Sequence, residues 1–251
     1  MISTRLNEGL PGAPVVYPGE QCIDISPKYP YAAEMAGVSY VHGAGSRADY
    51  CLAPLGNQGA RTNTVSSVFP GIAGDNGGMF TWGNDLAVTR LGGYLARLAA
   101  RPDVNADYAL IGDSMGGLNS LVYAAQATVK PKAIVMVIPV INPEDIRANN
   151  RGGYGASVNA AYAGGYNESA LGATKNPHTM RAAAKLAGIP MLIFYGLTDT
   201  LCLPQWTEAF AAADPTNREL VALPTGHDFD SYNSVDHQRV LAFLNEQLRP
   251  S

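Results

Sequence analysis

The sequence contains few cysteines and no long apolar run. Its three cysteines, Cys22, Cys51 and Cys202, are widely spaced, and no Cys-x-x-Cys pair occurs. A disulfide framework and a structural zinc site are therefore not expected. The longest apolar run, residues 133–141, is about half as long as a membrane span, and the first residues include no stretch apolar enough for a signal peptide. We expect a soluble protein, cytoplasmic by default or part of a larger particle.

Charged residues are also scarce. They make up 15% of the 251 residues, the net charge is −4, and Lys and Arg form no cluster. Nucleic-acid-binding domains usually carry a basic patch, so a nucleic-acid partner is not expected. Hydrophobic residues reach 47%, which is too high for a disordered chain. The length fits a single domain over residues 1–251.

Apolar segments alternate with amphipathic segments along the chain. Continuous apolar runs predict strands at residues 38–41, 108–111, 133–138, 191–195 and 219–223. A β-branched and aromatic run favours another strand over 64–69, and residues 71–83 are predicted to be a Gly-rich loop. Helical spacing of apolar residues predicts helices over 84–100, 118–125, 206–213 and 235–248. This alternation predicts an α/β fold with a doubly wound, mostly parallel sheet.

One stretch interrupts the alternation. Residues 141–188 contain no strong strand pattern and are rich in glycine and tyrosine. Structureless loops of this length are uncommon inside a domain and are often active-site lids. We interpret residues 141–188 as a small lid or cap inserted in the domain, and the alternative is a long mobile loop.

A Gly-x-Ser-x-Gly pattern is the first chemical signal. It comprises residues 112–116, Gly-Asp-Ser-Met-Gly, and lies between a predicted strand and a predicted helix. The pattern alone is weak, but a sharp strand-to-helix turn exposes the serine oxygen and places it at the positive end of the helix. Ser114 is therefore the candidate nucleophile.

A serine nucleophile needs a base, and the base needs a carboxylate that fixes its tautomer. The chain has four histidines: His42, His178, His227 and His237. His227 follows the last predicted strand in a flexible turn, which makes it the candidate base. Asp199 follows the strand at 191–195 and is the candidate acid, with a helix cap or turn as its alternative role. Asp228 and Asp230 lie nearer in sequence, but a neighbouring residue rarely folds back onto the ring.

The loop after the predicted strand at 38–41 reads His42-Gly43-Ala44-Gly45. Its glycines let the backbone approach a substrate closely. The N–H of Ala44, with Gly45 as an alternative, and the N–H of Met115 are candidate oxyanion donors. The candidate substrate contacts are His42, Gly43, Trp82, Tyr154 and Tyr162. The aromatic residues among them favour an apolar acyl or aromatic group, or else they pack the lid against the sheet.

These motifs resemble, in this order, those of the α/β-hydrolase superfamily. His-Gly-Ala-Gly, Gly-Asp-Ser-Met-Gly-Gly, Gly-Leu-Thr-Asp and Gly-His-Asp-Phe carry the resemblance, which covers residues 38–248. It implies Ser114 as nucleophile, Asp199 as acid and His227 as base, in the chain order that the superfamily uses. The His-Gly-Ala-Gly loop departs from the His-Gly-Gly-Gly of many esterases, and this difference concerns the oxyanion donors. Residues 1–37 match no motif.

The resemblance implies a serine hydrolase that cleaves a small or lipid-like carboxylic ester through an acyl-enzyme intermediate. Thioester cleavage, acyl transfer and peptide cleavage use the same triad, and a non-catalytic subunit of a phage or cell-envelope assembly is a further alternative. A Gly-x-Gly-x-x-Ala pattern at 43–48 would suit a dinucleotide-binding oxidoreductase, but residues 61–66 lack the acidic residue that this fold needs. No cofactor and no metal are expected.

Overall fold

One eight-stranded sheet organises the structure, a computed structural model that describes residues 3–6, 17–27, 34–180 and 184–248. Its strands are β1 (Ser3–Leu6), β2 (Cys22–Ser26), β3 (Met35–Val41), β4 (Gly71–Gly74), β5 (Val104–Asp113), β6 (Ala133–Val137), β7 (Met191–Gly196) and β8 (Arg218–Leu223). Their spatial order is β1-β2-β4-β3-β5-β6-β7-β8. The pairs β1–β2 and β2–β4 are antiparallel and the others are parallel. The predicted α/β fold with a mostly parallel sheet is confirmed.

Helices connect the parallel strands. In chain order they are α1 (Gln58–Val65), α2 (Asp85–Ala99), α3 (Met115–Gln126), α4 (Pro143–Ala148), α5 (Gly155–Ala160), α6 (Glu168–Lys175), α7 (Pro177–Met180), α8 (Pro204–Ala212), α9 (Phe229–Asn233) and α10 (His237–Leu248). Local signals fix their starts, since the Asn84 side chain accepts the Ala87 N–H before α2 and Pro204 opens α8. Among the described residues, no helix has both the length and the apolar character that crossing a membrane requires.

The sheet separates two apolar layers. On one face, Ile111 of β5 belongs to a buried cluster with Val240 of α10. On the other face, Leu110 belongs to a cluster with Leu91 of α2 and Leu121 of α3. Successive residues of a strand point to opposite faces, so a strand covered on both faces must be apolar throughout. This is why the central strands read as continuous apolar runs.

The predicted strand over 64–69 is wrong. Helix α1 continues to Val65 and a turn follows, whereas the strand of this region, β4, lies inside the predicted Gly-rich loop. Val65 and Phe69 reach the core from a helix and a turn, so packing overrides their β-propensity. Strand β4 has few apolar side chains because neighbouring side chains leave no room for a Cβ at its glycines. A Cβ on Gly74 would lie 2.2 Å from Cε2 of the Tyr94 ring.

Helices α4–α7 form an insertion between β6 and β7, which is termed the helical insertion here. The indole N–H of Trp82 donates to Ser157 Oγ at 2.8 Å, and the Tyr162 hydroxyl donates to the Trp82 carbonyl at 2.5 Å. These bonds fasten the insertion to the loop after β4. Residues 181–183 of the predicted lid lie outside the described residues. The described part is helical, and its role as a lid over residues 141–188 stays a prediction.

Candidate active site

The serine of the Gly-x-Ser-x-Gly pattern occupies a sharp turn between β5 and α3. Ser114 has φ 52° and ψ −116°, a positive φ that residues with a side chain rarely adopt. Backbone strain of this kind is concentrated at functional sites. The glycine after the turn is required by close packing, since a Cβ on Gly116 would lie 2.0 Å from the Val41 carbonyl oxygen. The pattern therefore has the geometry of a nucleophile elbow.

Two further side chains continue from the serine in one hydrogen-bonded chain. Ser114 Oγ lies 2.9 Å from His227 Nε2, and His227 Nδ1 lies 2.8 Å from Asp199 Oδ2. The other oxygen, Asp199 Oδ1, accepts the N–H groups of Leu201 at 2.8 Å and Cys202 at 2.7 Å. A carboxylate at Nδ1 holds the ring proton there, so Nε2 faces the serine with its lone pair. The three side chains come from the loops after β5, β7 and β8, which meet at the carboxyl edge of the sheet.

Neither of the two acids beside His227 in sequence has a described bond to its ring. Asp228 precedes α9, and its Oδ1 accepts the Ser231 N–H at 3.1 Å. Asp230 is an exposed residue of the first turn of the same helix. Within the described part of the chain, Asp199 is thus the only carboxylate bonded to the His227 ring.

Among the described hydrogen bonds, those of Ser114 Oγ involve His227 and none of the other three histidines. His42 is buried, and its two ring nitrogens lie 2.9 and 2.8 Å from the carbonyl oxygens of Gly43 and Asp75. His178 belongs to α7. His237 begins α10, where burial lowers its pKa. The carbonyl contacts of His42 indicate that it stabilises the loop after β3.

A buried ion pair lies directly behind the serine. Arg61 of α1 donates from Nη1 and Nη2 to the two oxygens of Asp113 at 2.9 and 2.6 Å. Both side chains are almost fully buried. A bidentate pair of this kind is strong, and its two parallel hydrogen bonds also fix the relative orientation of the side chains. Asp113 immediately precedes Ser114, so the pair braces the elbow. Sequence analysis missed Arg61 because nothing in the spacing of α1 marks it.

An open cavity of about 470 Å³ lies in front of Ser114 and is termed the serine cavity. Of the predicted substrate contacts, Gly43, Trp82 and Tyr154 line it, as does the predicted oxyanion donor Ala44. The other two predicted contacts, His42 and Tyr162, are not among the described residues that line the cavity. The lining residues that sequence analysis missed include Ser46, Tyr50, Gln58, Leu201, Phe229 and Tyr232. They come from loops and short helices far apart in the chain, and no pattern could have joined them.

The two predicted oxyanion donors, the N–H groups of Ala44 and Met115, have no described acceptor within the protein. The alternative donor, the N–H of Gly45, already bonds the Met79 carbonyl oxygen at 2.9 Å. Met115 is the first residue of α3, where the helix dipole favours negative charge. The chemistry of the loop therefore favours Ala44 over Gly45.

The residues around the acid also resemble a small metal-ligand set. Atoms of Asp199, Cys202 and His227 that could bind a metal lie within 4.8 Å of one another. Burial and then the charge of Asp199 raise the pKa of the Cys202 thiol well above its usual value, which disfavours the thiolate that a metal needs. Both Asp199 oxygens also accept hydrogen bonds. The arrangement fits a proton relay better than a metal centre.

Solved structures share this architecture at low sequence identity. Est1E from Butyrivibrio proteoclasticus gives a TM-score of 0.69 at 19% identity, over 92% of this chain and 96% of that chain. FphF, a fluorophosphonate-binding serine hydrolase of Staphylococcus aureus, gives 0.69 at 14% identity over 98% of each chain. A puromycin-hydrolyzing peptidase of Mycobacterium tuberculosis gives 0.71 at 17% identity, over 100% of this chain and 40% of that chain.

No protein-family model matches the sequence, and no curated protein matches it significantly. The similarity therefore concerns the fold. The chain has the α/β-hydrolase fold, as its motifs predicted.

Proposed function

We propose that this protein is a serine hydrolase that cleaves carboxylic esters through an acyl-enzyme intermediate. Ser114 is the nucleophile, His227 the base and Asp199 the acid. The observation that carries the proposal is the unbroken hydrogen-bonded chain from Ser114 Oγ through the imidazole to the buried carboxylate. Solved structures of the same fold include a Pyrococcus furiosus esterase, an esterase/lipase from an uncultured bacterium and the serine hydrolase FphF, which is consistent with it.

The first half of the reaction forms the acyl-enzyme. Ser114 Oγ attacks the ester carbonyl carbon while its proton passes to His227 Nε2, and Asp199 stabilises the resulting imidazolium. The N–H groups of Ala44 and Met115 hold the oxyanion of the tetrahedral intermediate. Collapse of this intermediate breaks the bond to the alcohol oxygen, which leaves with the proton from His227.

The second half transfers the acyl group to water. His227 takes a proton from a water molecule, which attacks the acyl carbonyl carbon. The carboxylic acid then leaves and the proton returns to Ser114. Acyl transfer and thioester cleavage share the first half-reaction and differ in the acceptor or in the leaving group, so product analysis separates them from ester hydrolysis.

The serine cavity suits a small ester. Its volume of about 470 Å³ lies in the range of small-molecule sites. Trp82 and Tyr154 form an aromatic wall with ring centroids 5.4 Å apart, and an apolar acyl or aromatic group would pack there. Because Tyr154 lies in the helical insertion, directly before α5, we also propose that residues 141–188 act as the cap that completes this wall.

Replacing the nucleophile tests the proposal. The assay compares wild type with Ser114→Ala on p-nitrophenyl esters of increasing chain length. We expect a loss on the order of 10³-fold or more in kcat/KM, with an unchanged melting temperature, because only the attacking oxygen is removed. Ser114→Ala should also lose labelling by a fluorophosphonate probe.

Ser67→Ala is the matched control. Its hydroxyl donates to the Thr64 carbonyl oxygen in the turn after α1, and no role in the reaction is assigned to it. This control should hydrolyse esters and take the label at wild-type rates. Retention of most of the activity by Ser114→Ala would contradict the proposed function.

A further inference from the structure

Two polar side chains of the serine cavity are buried and unpartnered. Tyr50 is 8% exposed and Gln58 is 7% exposed, and both line the cavity that Ser114 faces. Among the described residues, neither the Tyr50 hydroxyl nor Gln58 Oε1 has a hydrogen-bond partner. The large majority of buried side-chain polar atoms in folded proteins are paired. Both atoms are enclosed by protein in this structure, and a side-chain rotation toward the cavity would let a ligand supply the missing partner.

The position of the two side chains fits a binding role. A second groove of about 590 Å³ adjoins the serine cavity and shares Ser46, Tyr50, Gln58 and Phe229 with it. Tyr50 and Gln58 thus lie where the two spaces meet. A substrate that extends from Ser114 into the groove would lie beside this shared wall.

The hydrogen-bonding chemistry of Tyr50 and Gln58 favours a neutral ligand group. Burial and then the charge of Asp113 raise the pKa of Tyr50 well above its usual value, so its hydroxyl remains a donor. Asp113 is already neutralised by Arg61. Gln58 Oε1 can only accept. A carboxylate would meet this oxygen unfavourably, whereas a hydroxyl or an amide can accept from one residue and donate to the other.

We propose that Tyr50 and Gln58 bind a hydroxyl or amide group of the ester substrate and so determine specificity for substrates that carry one. The inference rests on the proposed serine hydrolase function. A site built to hydrogen-bond a substrate group discriminates strongly against analogues that lack it, because its own buried polar groups then stay unpaired. The aromatic wall of Trp82 and Tyr154 would hold the apolar part of the same molecule.

Matched ester pairs test this specificity and distinguish the two halves of the substrate. The acyl pair is methyl butanoate and methyl 3-hydroxybutanoate, and the alcohol pair is butyl acetate and 3-hydroxybutyl acetate. Hydrolysis is followed by titration of the released acid. The readout is the ratio of kcat/KM for the hydroxylated ester to that for its plain partner. We expect wild type to prefer the hydroxylated ester of one pair by about tenfold or more.

The variants Tyr50→Phe and Gln58→Leu should each lower that ratio by about fivefold or more, because each removes one hydrogen bond to the substrate hydroxyl. The controls Tyr108→Phe and Gln126→Leu make the same chemical changes away from the cavity. The Tyr108 hydroxyl bonds the Val129 carbonyl oxygen, and Gln126 ends α3. Both controls should keep the wild-type ratio.

Melting temperatures separate binding from structure. The Tyr50 hydroxyl has no described partner, so Tyr50→Phe should not lower the melting temperature, and a substantial drop would assign the hydroxyl a structural role instead. Wild-type ratios near one for both ester pairs, or ratios unchanged in both variants, would overturn the inference. Full hydrolysis by Ser114→Ala would instead overturn the proposed function, so the two failures are distinguishable.

Discussion

The substitution Asp199→Asn tests how the carboxylate controls the histidine, because asparagine keeps the size of the side chain but has only one oxygen. In the native site Oδ1 accepts two backbone N–H groups, from Leu201 and Cys202, while Oδ2 accepts from His227. The amide oxygen of asparagine must face the two backbone donors, since an NH₂ group there would meet them with its own hydrogens. The NH₂ group therefore faces His227.

This orientation imposes the wrong tautomer on the ring. The amide N–H donates to His227 Nδ1, so the ring proton moves to Nε2, which lies 2.9 Å from Ser114 Oγ. A protonated Nε2 cannot accept the serine proton. The charge that stabilises the imidazolium is lost as well. We expect kcat to fall by about 10²–10⁴-fold, which corresponds to roughly 3–5 kcal/mol of transition-state stabilisation.

The assay measures kcat on one p-nitrophenyl ester together with the melting temperature. The melting temperature of Asp199→Asn should stay near that of wild type, because the amide oxygen keeps both backbone hydrogen bonds. Asp228→Asn is the matched control, since Asp228 caps α9 through the Ser231 N–H and asparagine caps a helix equally well. It should lose less than about tenfold in kcat. A greater loss in Asp228→Asn than in Asp199→Asn would refute this assignment of the acid.

A further prediction concerns the packing beneath the elbow. Gly116→Ala places a Cβ 2.0 Å from the Val41 carbonyl oxygen and should destabilise the fold by about 3 kcal/mol, or roughly 6–12 °C in melting temperature. Gly92→Ala, whose Cβ would be 3.4 Å from Tyr123, should leave the melting temperature near wild type or higher, and an equal drop in both variants would refute the packing argument.

The central strands and the order of the chemical residues could be predicted from the sequence for a common reason. A strand buried on both faces must be apolar throughout, and Leu110 and Ile111 show this by facing different layers. Parallel strands end at one edge, so residues that follow them converge. Ser114, Asp199 and His227 each follow such a strand. Their positions in the sequence were therefore enough to predict that they lie close together.

The wall of the serine cavity and the edge of the sheet could not be predicted in the same way. Tyr50 lies on a short 3₁₀ helix, Ala48–Leu52, and Gln58 and Arg61 lie on α1. In neither helix does a periodic sequence pattern distinguish the buried face from the exposed face. Their roles depend on Asp113 and on the loops around Ser114, which are distant in sequence. Strand β4 could not be predicted because two of its four residues are glycines, which give neither an apolar nor a β-branched signal.

The bond between Arg61 and Asp113 has a consequence for how this protein can evolve. Losing one partner of a buried pair leaves a charge uncompensated, at a cost of about 3–5 kcal/mol, whereas replacing both by apolar residues of similar volume is often neutral. Position 113, directly before Ser114, is therefore not free to change by itself. In related chains, positions 61 and 113 should covary, and a mutational library that aims to reshape the elbow must randomise both codons together.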